Sequence, residues 1–113
     1  FGLTLFENRA IITVADGCNW GDPPREAARR SVRSFLHHMG RHHESAKTVR
    51  DVGRLILESF AQAHNGIIED KEEIFSAGTA TLLGGLMVQV HAKDNSLFET
   101  NSILTINNTG EPI

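Results

Sequence analysis

Hydrophobic and polar positions fall into two periodicities along the chain. Phe1 to Phe6 (FGLTLF) and Ala10 to Ala15 (AIITVA) are short runs rich in β-branched and aromatic residues. Glu7-Asn8-Arg9 between them predicts a hairpin connection. Asp16 to Gly21 is a glycine-punctuated loop, and Asp22-Pro23-Pro24 predicts a helix start with Asp22 as N-cap and prolines in the first turn. Ala28, Val32, Phe35, Leu36 and Met39 then recur at helical spacing, and Gly40 is the expected end. A second helix is predicted over 47–64, with Val49, Val52, Ile56, Phe60 and Ala63 as its apolar stripe and Asn65-Gly66 as its stop. The acidic stretch Glu69 to Glu73 reads as a solvated loop.

Thr79 to Val90 (TATLLGGLMVQV) predicts a long strand, in which Gly84-Gly85 allows a bend or close packing. A last strand is expected near Ser102 to Ile106, before the turn-like Asn107 to Gly110. The order strand, strand, helix, helix, strand, strand is an α+β pattern whose amphipathic helices need a sheet to lie on.

At 113 residues the chain holds one domain and a real core. The apolar stretch beginning at Phe1 suggests an element starting at the first residue, as in a partial domain. Eleven basic and fourteen acidic residues give a net charge of −3, which argues against a nucleic-acid or anionic-membrane surface. No apolar run reaches the roughly 18 residues that cross a bilayer. The N-terminus lacks the basic-then-apolar pattern of a secretory signal, and the single cysteine, Cys18, suits a reducing compartment. A cytoplasmic or nuclear location is therefore expected.

The candidate chemistry lies in Ile11 to Gly21. A buried strand delivers Asp16 to its exposed end, and Gly17 follows with no side chain to shield its carbonyl. A carboxylate and a carbonyl so placed suit a hard divalent cation, although an Asp-Gly after a strand also serves as a plain turn. The block VADG, the glycine-bearing loop, a helix opening with Ala27-Ala28, a second helix, and AGTATLLGGLMV about sixty residues after Asp16 resemble the metal-dependent serine/threonine protein phosphatases of type 2C, the PPM family. The resemblance spans residues 1–90, so the whole chain 1–113 is expected to be a partial PPM-type domain.

The resemblance implies an α/β/β/α sandwich in which antiparallel sheets enclose the metals and pairs of helices cover the outside. It implies Mg²⁺ or Mn²⁺ as cofactor, with Asp16 bridging two ions and the Gly17 carbonyl contributing to one. Gly78 and Thr79 would open a strand packed behind the site. The implied reaction is hydrolysis of phosphoserine or phosphothreonine by a metal-activated water, and the implied partner is a phosphoprotein substrate. Many members carry a histidine after the Asp-Gly where this chain has Cys18, while others use an Ala-Asp-Gly form without it. The family's phosphate-binding arginine and further acidic ligands are not recognisable, since Glu7 and Arg9 read as turn residues. The alternative is an inactive pseudophosphatase or regulatory module that binds a protein partner.

Other polar groups have plainer readings. His37, His38, His42 and His43 read as a solvated helix end, although His38 and His42 stand at a metal-binding spacing that lacks a third ligand in the sequence. His64 reads as a helix-end residue. Trp20 reads as packing its loop onto the first helix, and Arg25, Arg29, Arg30 and Arg33 as a solvated helix face. Asn107-Asn108-Thr109 matches a glycosylation pattern that carries no meaning without a secretory signal. Half a sandwich would leave a sheet face open, so self-association or marginal stability of the chain is expected.

Overall fold

The structure, a computed structural model, describes residues 1–73 and 76–100 and the backbone of 102–107. Its elements are β1 (Gly2–Phe6), β2 (Arg9–Gly17), α1 (Asp22–His42), α2 (Val49–Ile68), β3 (Ala80–Val88) and β4 (Ser102–Asn107), with a 3₁₀ turn at His43–Ser45 after α1. The strands form one antiparallel sheet in the order β3-β2-β1-β4. The fold is α+β, in the element order the sequence pattern predicts. The residues after Asn107 in the expected turn and glycosylation pattern lie outside the described residues.

Both helices lie on one side of the sheet. α1 rests on β2 and β3, and α2 packs chiefly against α1. Phe6, Ile11, Val32, Phe35, Leu36, Met39, Leu55 and Ala63 form the main core. Gly84 has the close-packing role expected of it, because the Phe35 ring lies 2.6 Å from where a Cβ would stand.

Several boundaries differ from the sequence expectation. The connection between β1 and β2 is shorter, because Arg9 belongs to β2. Asp22 is the first helical residue rather than the cap. Gly21, at φ 100°, precedes it, and no side chain caps this end. Prolines in the first turn lack the N–H groups that a cap would satisfy. α1 continues through Gly40 to His42, since the buried Met39 beside it outweighs the modest helix cost of one exposed glycine.

α2 continues through Asn65-Gly66 to Ile68, so His64 does not end it. Gly66 is buried where the helices cross, and a Cβ there would lie 3.0 Å from the Ser34 Cβ. The Arg30 guanidinium of α1 donates to the Glu69 carbonyl at 2.7 Å, satisfying a carbonyl at the end of α2. The buried face of α2 is Val52, Leu55, Ser59, Ala63 and Gly66, whereas Val49 is exposed. Val52 and Ala63 are buried as expected and Ile56 and Phe60 pack against the core, while the small residues at 59, 63 and 66 let the two helices approach. By the same close approach Ala27, not Ala28, is the fully buried member of its pair on α1.

The opposite face of the sheet is also apolar. Leu5, Ile12, Val14, Leu83 and Met87 are exposed there, and Val14 pairs with Leu83 across the β2–β3 ladder. Strands that are apolar on both faces are ordinarily covered on both. Among the described residues, one face is covered.

Candidate functional site

Asp16 stands at the end of β2, opposite Thr81 of β3. Alternation along the strand turns Ile11 and Thr13 toward the helices and Ile12, Val14 and Asp16 toward the open face. The exposed Asp16 carboxylate is therefore at the rim of that apolar surface, on the side away from the helices. The Thr81 hydroxyl donates to the Asp16 carbonyl at 3.4 Å, and the Cys18 amide donates to the Thr79 carbonyl at 2.8 Å.

Gly17 faces the other way. A Cβ there would lie 2.5 Å from the Pro24 carbonyl oxygen, and at Gly78 it would collide with the Pro23 carbonyl. The start of α1 is seated on these two glycines, which fixes the loop carrying Cys18. This gives Gly17 a packing role of its own, alongside the carbonyl role the resemblance implies.

Asn19 and Gly21 both have positive φ, 73° and 100°. Between them Trp20 is 97% exposed, so it does not pack on α1 as expected. The turn geometry projects the ring outward instead.

Among the described residues, no three His, Cys, Asp or Glu side chains are grouped closely enough to hold a metal ion as they stand. A hard divalent cation takes about six oxygen ligands, of which Asp16 and the Gly17 carbonyl would supply two. These residues do not by themselves fit a Mg²⁺ or Mn²⁺ centre.

Arg9 is not a turn residue. It is buried at the start of β2, and its guanidinium donates to the carbonyls of His43 at 2.6 Å and Phe98 at 2.8 Å. His43 is buried as well, with its ring 4.1 Å from that of Phe6, so it does not belong to a solvated helix end. Burial and then Arg9 lower the His43 pKa, against an upward pull from Glu44. Arg9 thus ties β2, the 3₁₀ turn and the segment before β4 together, a role that its position beside Asn8 in the sequence did not signal.

Of the remaining histidines, His37 and His42 are exposed and His38 is partly buried. His38 Nε2 lies 3.5 Å from a Glu58 carboxylate oxygen across the α1–α2 seam. Arg25, Arg29 and Arg33 are exposed as expected, while Arg30 pairs with Glu26 at 2.7 Å. No helix of the described residues is long and apolar enough to cross a membrane.

Compared with protein-family models, curated proteins and solved structures, the chain gives no match.

Proposed function

We propose that this chain forms the helix-covered half of a PPM-type phosphatase domain, the complete domain hydrolysing phosphoserine or phosphothreonine in proteins. The observation that carries the reading is the position of Asp16, a carboxylate at the rim of an apolar sheet face that has no cover among the described residues. A second antiparallel sheet laid on Leu5, Ile12, Val14, Leu83 and Met87 would complete a sandwich and close over that rim. In this reading the other acidic ligands for Mg²⁺ or Mn²⁺ come from outside the described residues.

A second reading is favoured by Cys18 after the Asp-Gly and by the absence, among the described residues, of a three-ligand group that includes Asp16. In it the chain keeps the fold as a pseudophosphatase or regulatory module and binds a protein partner without hydrolysis.

The two readings share Asp16 as a metal-edge residue, and paramagnetic broadening by Mn²⁺ tests that directly. Amide signals of Asp16, Cys18 and Thr81 should broaden in the complete domain and recover in its Asp16→Asn variant. Broadening at those residues that persists in Asp16→Asn, or none there at all, would overturn the assignment.

A further inference from the structure

The exposed side of α1 is basic in a chain that is acidic as a whole. Five of the eleven basic residues lie in α1 against two of the fourteen acidic ones, so the helix carries +3 where the chain carries −3. Arg25, Arg29 and Arg33 stand at successive four-residue intervals, and all three are exposed. Such positions form one ridge on a helix, with neighbours about 6 Å apart. The acidic residues of α1 do little to neutralise it. Glu26 is held by Arg30 at 2.7 Å and by Lys71 at 3.4 Å, and Asp22 reaches Arg25 only at 3.8 Å with both side chains exposed. Among the described residues, Arg29 and Arg33 have no ion pair.

This arrangement works against the helix. Like charges four residues apart repel. Arg25 and Arg29 also sit in the first two turns, where the positive end of the helix dipole favours anions. A face that is merely solvated interleaves opposite charges. The row therefore costs the free chain stability that an anionic partner would restore.

We propose that the ridge of Arg25, Arg29 and Arg33 docks an Asp/Glu-rich segment of a partner protein, lying extended along the row. Alternate side chains of an extended peptide are about 6.6 Å apart, close to the spacing of the arginines. Carboxylates at every second position thus meet successive guanidiniums in charge-assisted hydrogen bonds. The large exposed apolar residues lie outside α1, so this helix lacks the apolar face that would enter a bilayer surface. A nucleic acid is a long polyanion that the acidic remainder of the chain opposes, whereas a short acidic segment fits within the ridge. The ridge lies on the helix side of the sheet, away from the Asp16 carboxylate, and does not rest on the phosphatase reading.

The test is fluorescence anisotropy of a labelled peptide of alternating Glu and Ser, titrated with the chain at low salt. The parent should bind it, and more weakly as salt is raised. Arg29→Gln with Arg33→Gln should bind at least about 10-fold more weakly, yet melt at or above the parent temperature because repulsion along the row is relieved. Arg50→Gln with Arg54→Gln removes the same charge from exposed positions of α2 and should change affinity less than about 3-fold. No binding by the parent, an equal loss in the α2 variant, or tighter binding of a single-stranded oligonucleotide of the same charge would overturn the proposal.

Discussion

The Arg9 guanidinium donates to the His43 carbonyl at 2.6 Å, and the His43 ring nitrogen Nδ1 lies 3.4 Å from the same guanidinium nitrogen. Burial, and then the neighbouring guanidinium, disfavour a protonated His43, so its pKa in the folded chain is lowered. The unfolded ring accepts a proton near pH 6.5. Stability from His43 is therefore complete above pH 6.5 and is lost as the pH falls from there toward the lowered folded pKa. Within that window the loss approaches about 1.4 kcal/mol per pH unit. Urea midpoints from pH 8 to 5, measured with a chelator present, should fall more steeply for the parent than for His43→Gln. Parallel curves would show that the fold does not lower the His43 pKa.

Glycines should divide by what their missing Cβ would meet. Gly17→Ala and Gly78→Ala push into the Pro24 and Pro23 carbonyls and are expected to cost about 1–3 kcal/mol each. Gly40 and Gly53 lie inside α1 and α2, and a Cβ there would meet nothing within 4 Å. Gly40→Ala and Gly53→Ala should each stabilise by about 0.5–1 kcal/mol. Chemical denaturation of the four variants checks both signs.

Element order, the role of Gly84 and the solvated loop from Glu69 to Glu73 were legible because they rest on local composition. The terminus of α2 was not, because Arg30 on another helix satisfies its last turn and Gly66 serves a helix crossing. Arg9 reads as a turn residue by type, and its buried carbonyl partners come from 34 and 89 residues away. In the candidate site, Asp16 at a strand end was legible from the pattern VADG, whereas the direction it faces follows from which side the helices cover. Glu58 had no sequence signal linking it to His38, since only the packing of α1 on α2 brings them together.

The start of α2 is a capping box. The Thr48 hydroxyl accepts from the Asp51 amide at 3.2 Å, and the Asp51 carboxylate accepts from the Thr48 amide at 3.1 Å. Thr48→Ala should cost about 1 kcal/mol. The Lys47 and Thr48 backbone bonds lower the Asp51 pKa. Its contribution is therefore present above the unfolded carboxylate range and disappears as the pH falls through the lowered folded value. Helix content of Asp51→Asn, followed by circular dichroism against acid titration of the parent, checks this.

The open sheet face should make the chain associate. Leu83 and Met87 are 76% and 65% exposed, beside Ile12 and Val14. A contiguous apolar surface of this kind is unusual on a monomer. Sedimentation velocity should show concentration-dependent association that Leu83→Lys with Met87→Lys reduces, while helix content stays unchanged. A clean monomer at every concentration would show that this face needs no cover.

Hydrolysis is tested most directly by phosphate release from a phosphothreonine peptide with Mn²⁺, using the complete domain and its Asp16→Asn variant side by side. The expected result is turnover that falls at least about 100-fold in the variant while its melting temperature holds. Turnover indifferent to Asp16→Asn, or no turnover from either folded protein, would contradict the phosphatase reading.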